Sequence, residues 1–367
     1  MNIDYQNYFK DYIHHIDRNN NMDLVRYILA FGVLIAHFNI LCDADVPWII
    51  SSYNRVGGFF ALSGFVLIGS ILKGCTFKEF TIKRILRIVP SYLFVVFTCA
   101  ILLCLVSTFT VKDYFTNKGF WEYLAANVCY LNFLHPSLPG VFNGEAVNGA
   151  LWTLKVEWQL TLCLPILAWI CYKYKINIIK AIISLIFISM VYRLILLYLE
   201  ITTGKAIYEI LGRQFIGQFF FFASGTLIAC YYPAFVKFIK YIIPASIITY
   251  LIFWLVIDST IYFIYIQPFV ITLMVLSVSL IPKNYANYID GGNNISYEIF
   301  LCHFPIMQLI HEFDIVDKYG VAIGLTIGIL CTLVYAIITY SLVGRIYIKY
   351  KHGFTNIRVL NSSSSKN

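Results

Sequence analysis

The segment DLVRYILAFGVLIAHF, from Asp23 to Phe38, places an arginine and a histidine in a mostly apolar stretch that predicts a membrane-spanning helix. Arg26 and His37 are eleven positions apart, so in an α-helix they return to within about 20° of one face, roughly 16 Å apart along the axis. Ionisable side chains in hydrocarbon cost about 2.5–3.5 kcal/mol and usually turn towards a partner or a water-filled cavity. We interpret this helix as one wall of a reaction chamber. The simpler interpretation is a cytoplasmic anchor and a packed histidine.

The composition is that of an integral membrane protein. The 367 residues are 60% hydrophobic and 13% charged, whereas soluble domains average about 25% charged residues. The formal net charge of +8 comes from basic residues that lie mainly at the ends of apolar runs, so it does not indicate nucleic-acid binding. The ten cysteines form no CxxC pair and lie in apolar segments, which favours small buried residues over a disulfide framework or a metal site.

Apolar runs of about 17 to 25 residues predict ten membrane crossings. They lie at 24–42, 57–73, 88–108, 150–172, 177–198, 211–231, 237–257, 260–281, 294–312 and 321–343. A shorter apolar segment at 122–134 is ambiguous. Counting it as a crossing reduces the asymmetry of Lys and Arg between the two sides, so the positive-inside rule places it at the outer face. The predicted fold is an all-α polytopic membrane protein of about ten helices bundled around a central polar tunnel.

The same reading divides the chain into three parts. Residues 1–22 form a cytoplasmic N-terminal segment, 23–345 the transmembrane domain and 346–367 a cytoplasmic tail. No cleavage site of small residues follows the first apolar run, so we expect no removable signal peptide. We expect a multi-pass protein of the plasma (inner) membrane with both termini in the cytoplasm.

A basic cluster precedes the third predicted crossing. Arg84 and Arg87 are three positions apart and share a helix face, and Lys83 lies beside them. Such a cluster at the cytoplasmic surface often only sets topology. Two guanidiniums at this spacing also form a forked site for phosphate, which would suit a phosphate-rich ligand such as coenzyme A.

Other crossings also carry polar side chains. Ser63 lies in a glycine-containing stretch that is typical of helix packing, although its hydroxyl could border a substrate channel. Trp152 fits an interfacial aromatic belt, and Glu157, near the same surface, needs a cationic or hydrogen-bonding partner. Such a carboxylate could orient an imidazole, as in acyl-transfer triads.

A second histidine lies near the end of the chain. Ser296, Tyr297 and His303 belong to one predicted helix, and Ser296 and His303 are seven positions apart, nearly on one face. These residues form either a hydrogen-bonded core network or a second polar wall of the chamber.

Taken in order, these motifs resemble the acyltransferase-3 family of integral-membrane O-acyltransferases, which modify surface glycans and related molecules. The matching motifs span residues 23 to about 305. They are Asp23-x2-Arg26-x10-His37; Phe59-Phe60-x2-Ser63-Gly64-Phe65; Arg84-x2-Arg87 followed by Pro90; Leu151-Trp152 with Val156-Glu157; and Ser296-Tyr297 with Leu301, His303 and Pro305. Lys155 and Trp158 depart from the family pattern, where a small polar residue and a second acid are common.

The resemblance implies a ten-helix core that uses acyl-CoA, usually acetyl-CoA, as the cytoplasmic donor. It also implies that Arg26 and His37 are required for activity and that Arg84 and Arg87 contribute to donor binding. We therefore predict that the catalytic residues are His37, Arg26 and Glu157, and that Arg84, Arg87 and Arg26 bind the donor. The predicted substrate channel is bordered by Ser63, Trp152, Ser296, Tyr297 and His303.

The resulting hypothesis is a membrane O-acetyltransferase that moves an acetyl group from acetyl-CoA to a hydroxyl of a carbohydrate acceptor, either a surface polysaccharide or its lipid-linked precursor. The expected partners are the bilayer and a carbohydrate or glycolipid; a separate partner protein is left open, and no metal or nucleic acid is expected. The alternative is a transporter or flippase for a glycan or lipid, with His37 and Glu157 relaying protons. Inverted repeats would favour the transporter, and we find none in the sequence.

Overall fold

A computed structural model describes residues 3–17, 19–48, 52–256 and 266–346. Within these ranges the secondary structure is helical and includes no β-strand. The α-helices are, in chain order, α1 (Ile3–Phe9), α2 (Met22–Leu41), α3 (Ser52–Leu72), α4 (Phe77–Leu102), α5 (Val111–Thr116), α6 (Lys118–Val128), α7 (Trp152–Tyr174), α8 (Ile178–Thr203), α9 (Ile207–Gly212), α10 (Phe215–Cys230), α11 (Tyr232–Val256), α12 (Gln267–Ser279), α13 (Asn287–Asp290), α14 (Ser296–Glu312), α15 (Ile315–Tyr319) and α16 (Val321–Thr339). Short 3₁₀ or π turns lie at Lys10–Tyr12, Leu103–Val106, Phe142–Gly144, Gly149–Leu151 and Tyr340–Gly344.

Each predicted crossing contains one of these helices. In the part of the chain that the structure describes, seven helical segments are long and apolar enough to span a membrane. They are Met22–Leu41, Arg55–Leu72, Phe77–Val106, Gly149–Tyr174, Ile178–Thr203, Tyr232–Ile252 and Val321–Gly344. The other three predicted crossings contain the shorter helices α10, α12 and α14, of 16, 13 and 17 residues. The all-α polytopic membrane class is confirmed, whereas the count of ten and the central tunnel stay predictions.

Two predicted crossings and the predicted tail extend beyond the described residues. The crossings at 237–257 and 260–281 include part of 257–265, and nearly all of the predicted tail, from residue 347 onwards, lies outside the described ranges. The ambiguous segment 122–134 is described: it contains the end of α6, a helix of 11 residues. At 1.5 Å per residue α6 is roughly 16 Å long, too short to cross a hydrocarbon layer of about 30 Å.

Capping residues explain where the long helix α8 begins and ends. The side-chain oxygen of Asn177 accepts hydrogen bonds from the backbone N–H groups of Ile179 and Lys180, at 2.9 and 3.2 Å. These donors have no partner within the helix, so the asparagine stabilises its first turn. Gly204 ends α8 with a φ of 65°, in the left-handed region that glycine enters without steric cost.

The chain divides into two compact units, of which the first comprises Met1–Val33, Pro47–Phe77 and Thr153–Asn294. Its centre is a close crossing of α3 and α10. A Cβ atom at Gly64 would collide with the carbonyl group of Phe222, and one at Gly225 would collide with that of Ala61. The missing side chains let the two backbones touch, as small residues do in membrane helix pairs. Gly64 therefore belongs to a packing face.

The second unit comprises Leu34–Val46, Lys78–Trp152 and Ile295–Asn367. Here the loop between α6 and α7 is fixed to α14 by side-chain hydrogen bonds. Asn148 Nδ2 donates to the carbonyl oxygen of Leu301 at 2.9 Å, and Gln308 Nε2 donates to that of Ala146 at 3.0 Å. The loop thus packs along the helix that carries the second histidine.

Candidate active site

One uninterrupted helix, α2, carries both Arg26 and His37. Asn20 helps to start it, because its side-chain oxygen accepts a hydrogen bond from the backbone N–H of Met22 at 3.0 Å. The division between the two units falls within α2, after Val33. Arg26 therefore belongs to the first unit and His37 to the second.

His37 and His303 form a direct contact inside the second unit. Nδ1 of His37 lies 2.8 Å from Nε2 of His303, and the ring centroids are 5.0 Å apart with 25° between the planes. The ring of Phe304 contacts His37 edge-on, with centroids 4.9 Å apart. The structure therefore brings together two predicted site residues that are 266 positions apart in sequence. We call this contact the histidine pair.

The two histidines of the pair differ in exposure. His303 has 0% of its surface exposed, whereas His37 is half-buried. The second ring nitrogen of His303, Nδ1, lies 2.8 Å from the carbonyl oxygen of Phe300 and 3.3 Å from that of Ile299. Both carbonyl groups belong to the preceding turn of α14, so the helix itself fixes the orientation of this imidazole.

The loop that packs on α14 also reaches the histidine pair through Phe304. The ring of Phe304 lies against Gly149, where a Cβ would approach the ring to 2.7 Å. The hydrogen bond from Asn148 to Leu301 lies one residue along the loop. The loop between α6 and α7 is therefore packed beside the aromatic residue that contacts His37.

Two hydrogen bonds join α4 to the first turn of α14. Tyr297 Oη donates to the carbonyl oxygen of Ile88 at 3.0 Å, and Ser91 Oγ donates to Glu298 Oε1 at 2.9 Å. These contacts follow the same order along both helices, so α4 and α14 run in the same direction here. Glu298 is 4% exposed, and Arg87 acts electrostatically on its carboxylate.

These contacts position Arg84 and Arg87, which we call the arginine pair, relative to the histidine pair. Arg87 is exposed and Arg84 half-buried. Arg87 precedes Ser91 by four residues, roughly 6 Å along α4, and His303 follows Glu298 by five residues, roughly 7.5 Å along α14. Since Ser91 touches Glu298, Arg87 and His303 are offset by roughly 14 Å along these helices.

Ser63 and Glu157 meet inside the first unit. Ser63 Oγ lies 3.4 Å from Glu157 Oε1, so the hydroxyl of α3 donates a long hydrogen bond to the carboxylate of α7. Both side chains are half-buried. Of the remaining predicted residues in this unit, Arg26 forms an ion pair with Asp23 at 2.7 Å, and 22% of its side chain is exposed.

The last two predicted channel residues lie at helix starts in the second unit. Ser296 is the first residue of α14 and is buried, whereas Trp152 is the first residue of α7 and is half-buried. Among the described residues, no group of three or more His, Cys, Asp or Glu side chains is placed to hold a metal ion.

The sequence alone did not pair His37 with His303 or Ser91 with Glu298. One signal was available: Glu298 is a carboxylate within a predicted crossing, and such a group requires a hydrogen-bonding partner. Ser91 carries no comparable signal, because a serine in a membrane helix most often bonds to its own backbone.

Comparisons with known proteins agree with the sequence motifs. The chain matches the family model described as an acyltransferase domain over residues 19–341. It is 30% identical over 175 residues to Nodulation protein 10 of Rhizobium leguminosarum bv. viciae and 24% identical over 158 residues to the O-acetyl transferase of Shigella phage Sf6. These alignments cover 44% and 38% of this chain, and the chain spans less than half the length of each relative, 47% and 43%. No solved structure matches the chain. Because the family model covers nearly the whole sequence, this multi-pass membrane protein belongs to the acyltransferase-3 family.

Proposed function

We propose that this protein is a membrane O-acetyltransferase that transfers an acetyl group from cytoplasmic acetyl-CoA to a hydroxyl of a carbohydrate acceptor, a surface polysaccharide or its lipid-linked precursor. The observation that carries the proposal is the contact between His37 and His303 within the region that matches the family. The relative from Shigella phage Sf6, whose name is O-acetyl transferase, supports the choice of acetyl as the transferred group.

His37 acts as the general base in this proposal. Its imidazole accepts the proton of the acceptor hydroxyl while the hydroxyl oxygen attacks the thioester carbonyl carbon. A new C–O bond forms, the C–S bond breaks, and the thiolate of coenzyme A leaves and takes the proton back from the imidazolium. General-base catalysis of this kind contributes about 10²- to 10⁴-fold in rate.

Arg84 and Arg87 of the second unit hold the phosphates of the donor, and Arg26 of the first unit stays a predicted donor-binding residue. Guanidinium pairs bind phosphate through two parallel charge-assisted hydrogen bonds. The offset of roughly 14 Å between Arg87 and His303 suits the long, thin pantetheine arm of coenzyme A. The donor would then enter from the cytoplasm with its nucleotide at α4 and its thioester near His37.

The other predicted residues keep supporting roles in the proposal. Glu157, which accepts a hydrogen bond from Ser63 within the first unit, stays a predicted catalytic residue. Ser63 of the first unit, and Trp152, Ser296 and Tyr297 of the second, stay predicted channel residues. The protein would lie in the plasma (inner) membrane with both termini in the cytoplasm.

The test is an acetyl-transfer assay with the full chain in lipid nanodiscs. The assay contains acetyl-CoA and oligosaccharides released from the cell's own surface polysaccharide. A chromogenic reagent follows the release of free thiol, and mass spectrometry gives the masses of the sugars. We expect thiol release that depends on added sugar, and a mass increase of one acetyl group per transfer. In a parallel experiment with the chain in sealed liposomes, sugar that crosses the bilayer without any thiol release would support the transporter instead.

A further inference from the structure

We propose that His303 is a positioning residue that holds His37 in the tautomer with a proton on Nδ1 and a lone pair on Nε2. The inference rests on the proposed function only where it makes that lone pair the catalytic base. The placement of the protons follows from the geometry of the second unit alone.

The backbone contacts of His303 determine which of its ring nitrogens carries a proton. Its Nδ1 faces two backbone carbonyl oxygens, of Phe300 at 2.8 Å and of Ile299 at 3.3 Å. A carbonyl oxygen only accepts hydrogen bonds, so Nδ1 carries the proton. The side chain is fully buried, and a charged ring in such a place is costly. His303 is therefore neutral, and its Nε2 carries a lone pair.

The lone pair on Nε2 of His303 determines which nitrogen of His37 carries a proton. Nε2 of His303 lies 2.8 Å from Nδ1 of His37, a hydrogen-bond distance. Two lone pairs facing each other at this distance would repel, so Nδ1 of His37 must be the donor. A neutral imidazole carries one proton, and the lone pair of His37 therefore lies on Nε2.

The hydrogen bond between the two histidines persists when His37 takes up a proton. When Nε2 of His37 takes a proton, Nδ1 keeps its own and still donates to His303. The hydrogen bond becomes charge-assisted and therefore stronger. His303 thus supports the base before and after proton transfer, as the carboxylate does in a Ser-His-Asp triad. Because His303 is neutral, it does so without introducing a second charge beside the imidazolium.

The experiment measures tautomers directly by ¹⁵N NMR. The full chain is labelled with ¹⁵N-histidine in nanodiscs, and the signals of His37 are identified by their loss in His37→Gln. We expect a protonated Nδ1 and an unprotonated Nε2 in the unaltered protein. The opposite assignment, with the proton of His37 on Nε2, would overturn the proposal.

Two substitutions at position 303 separate positioning from packing. In His303→Gln the amide oxygen replaces the accepting nitrogen, so we expect the His37 tautomer to persist and kcat to stay within about tenfold of the original. In His303→Leu the acceptor is lost, so we expect mixed tautomers and a fall in kcat of about 10²- to 10⁴-fold with an unchanged KM for acetyl-CoA. The control is His311→Leu, an exposed histidine on the same helix, which should change neither quantity.

The outcomes distinguish this inference from the proposed function. If the labelled protein shows the expected tautomer and its loss in His303→Leu, but consumes no thioester, the positioning holds and the acetyl-transfer proposal fails. If acetyl transfer is observed and His303→Leu retains both the tautomer and kcat, the positioning role is wrong. Should His303→Leu fail to fold, the tautomer of the unaltered protein and the activity of His303→Gln still decide.

Discussion

The hydroxyl of Ser91 donates a hydrogen bond to the carboxylate of Glu298 over 2.9 Å, and this contact joins the helix of the arginine pair to the helix of the second histidine. The other carboxylate oxygen, Oε2, is buried and has no hydrogen-bond partner among the described residues. Ser91 therefore supplies the side-chain donor on which this buried acid depends.

Loss of that donor should destabilise the second unit. We expect Ser91→Ala to lower the free energy of unfolding by about 1–3 kcal/mol, because the buried carboxylate loses its hydrogen bond. Thermal unfolding in detergent measures the effect. Glu298→Gln keeps an accepting oxygen for Ser91 and should be tolerated better. An unfolding midpoint that is unchanged in Ser91→Ala would show that the contact contributes nothing.

Substitution of His37 tests the catalytic assignment. We expect folded His37→Ala to lose about 10²- to 10⁴-fold in kcat, because the acceptor hydroxyl loses its proton acceptor. The acetyl-transfer assay measures this loss, and size-exclusion chromatography shows whether the variant is folded. His311→Ala serves as the matched control on an exposed histidine. Wild-type turnover in His37→Ala would exclude the base role.

Removal of the arginine pair tests donor binding. We expect Arg84→Ala with Arg87→Ala to weaken the affinity for acetyl-CoA about 10²- to 10⁴-fold, because two charge-assisted hydrogen bonds are lost and each contributes about 1.5–3 kcal/mol. Isothermal titration calorimetry gives the Kd. Lys180→Ala, at an exposed position of α8, removes a positive charge elsewhere as the control. A Kd equal to that of the unaltered protein would assign the pair to topology alone.

The crossing of α3 and α10 can be tested with two glycines on the same helix. We expect Gly64→Ala to destabilise the first unit by about 1–3 kcal/mol, because the new methyl group collides with the backbone of Phe222. In Gly69→Ala the methyl group meets nothing within 4 Å, so this variant should be neutral or more stable by up to about 1 kcal/mol. Equal unfolding midpoints for the two variants would contradict the close packing.

The class of fold was predictable because the membrane imposes long apolar runs, and each predicted crossing contains a helix. Pairs close in sequence, such as Arg84 and Arg87, could be selected because helical spacing alone brings them together. The contact between His37 and His303 could not be predicted in this way, since it depends on which faces of α2 and α14 meet. The anchoring of the loop by Asn148 was hidden for the same reason.

The backbone of the loop between α6 and α7 restricts which residue types it can accept at Phe142–Gly144. Phe142, Asn143 and Gly144 take φ values of 49°, 51° and 85°, so three successive residues have a left-handed backbone. Asn143 and Gly144 are exposed, yet β-branched side chains at these places would be strained. In natural variants or in a directed library, substitutions at positions 143 and 144 are therefore confined mainly to Asn, Asp and Gly. New chemistry is introduced more easily at the neighbouring Glu145, which is exposed and does not share this left-handed backbone.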